Sequence, residues 1–261
     1  MVTTLHTPET IYAPRHLVSW MLLAAAAGAV NGFAFMTCEQ FVTHLSGLFT
    51  EIGRAGVVLD SAAIVASFIG GAFASVLVIH AHPKRGDQPR WATPLIIVAM
   101  LLIAIAVAGQ AGMFGQFGGS SDLADPPVAL LSLLAFAMGL QNAAVASTTG
   151  LAVRTTHLTG PATDLGISLG TAMLENGKER RSALRGAGLR AAKIMGFATG
   201  AGLSVPISLQ FHYLALFVPA VFVMTSTALS YNVATSPSAE AIPTSRSPGF
   251  ALQGSMFRRS K

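Results

Sequence analysis

The chain has 261 residues, of which 52% are hydrophobic and only 10% charged, and its mean hydropathy is +0.60; a soluble domain carries about 25% charged residues, so a soluble globular protein is excluded. The net charge of +5 does not point to nucleic acid, because Lys and Arg fall between apolar runs, where they orient spans in a bilayer. A single cysteine, Cys38, excludes an intramolecular disulfide and any Cys-based metal cluster.

Residues 1–16, with Thr, Pro8, Pro14 and no apolar period, read as a disordered arm. Leu17 to Met36 is free of charge and, at about 1.5 Å per residue, long enough to cross a ~30 Å core. This first span is longer than a signal peptide's apolar region, and five more follow, so it reads as a span rather than a cleaved leader. Span 2 runs from Gly56 to Ile79, with Asp60 near its start and Gly70-Gly71 inside, where glycine permits close helix packing. A polar loop, His80 to Arg90, precedes Trp91, an interfacial residue, and span 3 continues to Ala108. Residues 109–127 are Gly-rich and contain Asp122 and Asp125 without Lys or Arg; they form a linker between residues 17–108 and 128–231.

Span 4 covers Val128 to Ala146. Pro161 to Leu174 is short for a crossing and reads as a re-entrant or interfacial helix. If it crossed fully, there would be seven spans and an external carboxy terminus. Residues 175–193 read as a basic surface segment, followed by span 5 (Ala191 to Ile207) and span 6 (Tyr213 to Leu229). Residues 232–261 are rich in Ser, Pro, Thr and Ala, with Arg246, Arg258, Arg259 and Lys261, and read as a disordered basic tail.

The chain repeats itself. Thr43-His44-Leu45-Ser46-Gly47-Leu48-Phe49-Thr50-Glu51-Ile52-Gly53 returns 113 residues later as Thr156-His157-Leu158-Thr159-Gly160-Pro161-Ala162-Thr163-Asp164-Leu165-Gly166. Upstream, Gly28-Ala29-Val30-Asn31 matches Gly139-Leu140-Gln141-Asn142 at an offset of 111. Downstream, Phe68 to Ser75 matches Phe197 to Ser204 at an offset of 129, so the basic segment is an insertion in the second copy. Each copy has three spans. An odd number sends the second copy in from the other side, which predicts an all-α integral membrane protein of six helices in two inverted repeats, each carrying a polar re-entrant or half-helix element. With both termini in the cytoplasm, every basic cluster lies inside and the acidic linker outside.

The doubled polar element carries the candidate chemistry. Pro161 suits a first helical position and the residues before it an N-cap, so a helix is expected to start there, its positive end facing an anion or polar atom. Glu51 and Asp164 are then either carboxylates that complement a helix dipole or a proton or cation site. His44 and His157 either titrate beside them or pack at the interface. Asn31, Gln141 and Asn142 near span ends bond another helix or a ligand. Arg154 snorkels to lipid phosphate or holds an anion. The candidate substrate-binding set is Asn31, Thr43, His44, Ser46, Thr50, Glu51, Gln141, Asn142, Arg154, Thr156, His157, Thr159, Thr163 and Asp164. No metal-ligand spacing and no nucleophile–base pair is present, so neither metal, cofactor nor enzyme activity is expected.

Ala137 to Ala144, then Gly150 to Gly160 and Thr163-Asp164-Leu165-Gly166, resemble the YoaK family of bacterial membrane proteins, over about residues 17–230. Asn31 stands where that family commonly has Asp, and Leu48 where Asn often follows the Gly. The resemblance implies a multi-pass inner-membrane protein and no particular activity. Function then rests on the residues: a secondary transporter of a small polar or anionic solute, or a non-transporting sensor or scaffold whose basic segment binds a partner or anionic lipid.

Overall fold

The computed structural model describes residues 4–7, 10–44, 58–81, 89–118, 128–156 and 158–231. The described residues form seven α-helices: α1 Pro14–Cys38, α2 Val58–His80, α3 Thr93–Gln110, α4 Val128–Thr148, α5 Thr159–Leu174, α6 Gly177–Phe211 and α7 Phe217–Ser230, with short 3-10 turns at Thr10–Tyr12 and His212–Leu216. Four of them (α1 to α4) and the stretch Gly177–Ser230, which holds α6 and α7, are long and apolar enough to cross a membrane. The chain is a multi-helix membrane protein.

Two helix pairs form the frame, α1 with α6 and α2 with α4. In both, small residues let backbones touch, as packing without a hydrophobic drive between lipid-immersed helices demands. A methyl group on Gly28 would meet the Phe197 carbonyl, and one on Gly200 the Ala25 carbonyl. Likewise, one on Gly139 would meet the Phe68 carbonyl and one on Gly71 the Phe136 carbonyl. Of the remaining three helices, α3 and α7 pack on each other, α7 also on α1 and α3 also on α4, and α5 packs on α6.

Helix directions follow from the contacts. Met21 lies at Gly196, Ala25 at Gly200 and Gly32 at Ser204, so α1 and α6 run parallel. His16 bonds Ser230 (2.8 Å) and Ser19 bonds Ser226, so α1 and α7 run antiparallel. The His6 amide donates to the Thr148 carbonyl at 2.9 Å, which puts the end of α4 beside the start of α1. Helix α4 therefore finishes, α6 starts and α7 finishes on the same side as the amino terminus. No crossing is left for α5, whose 16 residues run back along the first half of α6, tied by Asp164 and Ser168 to Arg190.

Three expectations are corrected here. The basic segment 175–193 is not separate from span 5: both belong to α6, a continuous helix of 35 residues, about 52 Å at 1.5 Å each, well over a membrane core. Its Ala, Arg, Lys and Glu residues are good helix formers, and charge alone made the segment resemble a loop. Lys193, expected at the surface, is buried. The amino-terminal arm is ordered where described: Ile11 and His6 are buried, His6 and Trp20 meet edge to face at 5.1 Å, and the Trp20 indole N–H donates to the Ile11 carbonyl. Of the linker, residues 111–118 make turns that place Phe114 and Phe117 against Tyr213. The tail 232–261 and most of the loop after α2 lie outside the described residues.

Candidate functional site

Asn31 and Asn142 each lie about two turns before the end of their helix and fasten the chain that follows. After α1, Glu39 turns the backbone through the left-handed region (φ 56°). The Asn31 Oδ1 accepts the Val42 and Thr43 N–H groups, both at 3.0 Å, and its Nδ2 donates to the Thr43 hydroxyl. After α4, Gly150 and Leu151 make the left-handed turn, and Asn142 Oδ1 accepts the Thr155 N–H at 3.2 Å. Both return segments are thereby drawn back against the bundle, where an unbonded backbone amide would cost about 1–3 kcal/mol.

Between them is a cavity of about 570 Å³, within the range of about 300–1,000 Å³ typical of ligand sites. It is lined by Asn31 and Asn142, Thr43 and Thr156, Phe68 and Phe197, Phe41 and Arg154, with His44, Leu158 and Thr159. Each of the four couples joins a residue of one copy of the duplication to its counterpart in the other. Phe68 lies near the middle of α2. The amino end of α5 borders the cavity at Leu158 and Thr159, and no side chain among the described residues caps it. Among the described lining residues there is one permanent cation, Arg154, and no carboxylate.

The hydroxyls of the matched threonines differ. Thr43 is held by Asn31, whereas the Thr156 Oγ1, in a residue 1% exposed, has no hydrogen-bond partner among the described residues. Gln141 is fully buried outside the cavity: its Nε2 donates to the Leu23 carbonyl at 2.9 Å and to the Thr155 hydroxyl at 3.3 Å, fixing α4 to α1.

The candidate set thus divides. Asn31, Thr43, His44, Asn142, Arg154, Thr156 and Thr159 come together at the cavity; Ser46, Thr50, Glu51 and His157 lie outside the described residues. Thr163 and Asp164 do not line it. Thr163 is exposed and donates to the Thr159 carbonyl, and Asp164 faces Arg190 of α6 at 3.4 Å. The reason is the register of α5, which starts at Thr159 rather than Pro161, so that Asp164 falls in the second turn instead of the first. The phenylalanines were missed as site residues, although Phe68 and Phe197 already marked the duplication at the 129-residue offset.

The model of a family described as "Protein of unknown function (DUF1275)" matches residues 19–229. The chain belongs to the DUF1275 family. No curated protein and no solved structure matches it. The matched stretch of this DUF1275 protein begins within α1 and ends within α7, and so contains every cavity-lining residue. That agrees with the resemblance to YoaK-like proteins.

Proposed function

We propose that this DUF1275 protein is a secondary transporter of a small polar or anionic solute in the bacterial inner membrane, built from two inverted three-span repeats with both termini cytoplasmic. The observation that carries the reading is the cavity walled by equivalent residues of the two copies, Asn31 with Asn142, Thr43 with Thr156 and Phe68 with Phe197. Three further features support it. The close contacts Gly28–Phe197 and Gly139–Phe68 are the same contact made once by each copy, as are Gly200–Ala25 and Gly71–Phe136. Helices α1 and α4, which open the two copies, run in opposite directions. A half-length helix, α5, starts at the cavity, as discontinuous helices do at transporter sites. Two equivalent halves around one polar site can rock between two openings related by a pseudo-two-fold axis, which is the physical requirement of alternating access. The basic loop and the basic half of α6 orient the chain by the positive-inside rule.

The test is uptake into proteoliposomes from a metabolite mixture, with Asn142→Ala and Thr156→Val compared with the parent. Flux that is present in the parent and lost in both variants supports the reading, and no protein-dependent flux of any solute defeats it.

One observation favours the sensor or scaffold alternative. At the register of Met21 with Gly196, Pro14 falls opposite Leu189, so residues 177–188 of α6, with Lys178, Arg180, Arg181 and Arg185, overhang the start of α1. Such a charged rod suits anionic lipid or an acidic partner. On that reading, neutralising Arg180, Arg181 and Arg185 abolishes function and the cavity variants do not.

A further inference from the structure

Among the described residues the cavity is two-fold in its amides, in Thr43 and Thr156 and in Phe68 and Phe197, and it breaks that symmetry at one couple. Where the first copy presents Phe41, the second presents Arg154. On the Phe41 side the wall is aromatic, since Phe41 stacks on Phe35 with ring centroids 5.0 Å apart and lies near His44. The Arg154 side holds a permanent cation and, among the described residues, a buried Thr156 hydroxyl without a partner and an amino end of α5 that no side chain caps. These three features ask for the same thing. A helix amino end and a guanidinium both favour negative charge, and a buried hydroxyl donor left unbonded costs roughly 1–3 kcal/mol until an acceptor arrives.

From this, and resting on the transport reading only for its consequence in flux, we propose that the cavity binds a small amphipathic monocarboxylate. Its carboxylate sits at Arg154, Thr156 and the start of α5, and its apolar body lies against Phe41, Phe68 and Phe197. One negative charge is specified because the described lining contains one permanent cation and no carboxylate; a dianion would leave uncompensated charge at a site walled by hydrocarbon. A planar guanidinium fork matches the two oxygens of a carboxylate. An apolar body is specified because a wholly polar anion would strip its own water against three phenylalanines with no return.

The experiment is calorimetric titration of the detergent-purified full chain with benzoate, its neutral isostere benzamide, hexanoate, acetate and inorganic phosphate. Benzoate is expected to bind at least tenfold tighter than benzamide, and hexanoate at least tenfold tighter than acetate or phosphate. Arg154→Gln should remove the preference for benzoate over benzamide, Arg154→Lys should keep part of it, and Thr156→Val should weaken benzoate severalfold while leaving benzamide unchanged. Size-exclusion profiles establish that each variant is folded. Equal affinity for acid and amide, absence of binding by every carboxylate, or an undiminished preference in folded Arg154→Gln overturns the proposal. Flux in proteoliposomes is read separately. Arg154-dependent binding of benzoate without flux refutes transport and keeps the carboxylate site, whereas flux of neutral solutes alone refutes the carboxylate site and keeps transport.

Discussion

Gly70 and Gly71 are adjacent in α2 and make opposite forecasts. A methyl at position 71 would strike the Phe136 carbonyl of α4, while one at position 70 meets nothing. Gly71→Ala should therefore separate two backbones and destabilise the protein by about 1–3 kcal/mol, the usual penalty of overpacking. Gly70→Ala should be neutral or slightly stabilising, because it only narrows the unfolded chain's freedom and favours helix. Thermal unfolding in one detergent distinguishes them, and equal shifts would contradict the close approach. The amides make a related point. Asn31 and Asn142 were legible as span-end polar groups, and the sequence left open whether they bond a ligand or another part of the fold. They do the second, fastening the return segments, while still presenting a face to the cavity. Replacing Asn142 by Leu, close in size but without an acceptor, should cost about 1–3 kcal/mol through the orphaned Thr155 N–H.

Among the elements, α5 with the first half of α6 was the hardest to foresee. Length correctly marked residues 161–174 as too short to cross, because hydrocarbon thickness sets a firm requirement. The helix starts two residues before Pro161, at Thr159, and with that start went the role of Asp164. The structure gives Asp164 to Arg190 on a half-exposed surface, where an ion pair contributes about 0–1 kcal/mol. Asp164→Asn should thus leave flux and unfolding temperature nearly unchanged, and a loss of flux in a folded Asp164→Asn variant would return the residue to the site. The arm before α1 was also misjudged, since composition does not reveal that His6 will find Trp20, His16 and Tyr231 to pack on. Burial, followed by the charges of His16 and Arg15, lowers the His6 pKa from 6.5 to about 4. The unfolded chain therefore takes up a proton below pH 6.5 that the folded chain resists until about pH 4. Stability should be full above pH 6.5 and decline as pH falls toward 4, by on the order of 1–3 kcal/mol. His6→Phe should flatten that stretch of a pH series of unfolding temperatures, and an unchanged slope would show that His6 is not its source.

At the scale of the whole molecule, the duplication was the most informative signal in the chain. It marked the polar element that recurs 113 residues on, and with it seven of the residues at the cavity. What it did not give was which helices pair. That depends on which small residues meet across copies, here Gly28 with the Phe197 carbonyl and Gly139 with the Phe68 carbonyl. The central claim is that one cavity between the copies opens alternately to the two sides of the membrane. It is tested most directly by labelling single cysteines at Thr43 and Thr156, in a Cys38→Ala background, with a membrane-impermeant maleimide applied to right-side-out and to inverted vesicles. The account predicts that both positions label from both sides, and that a bound solute lowers labelling at both together. Labelling of each position from one side only, unaffected by any solute, would contradict it.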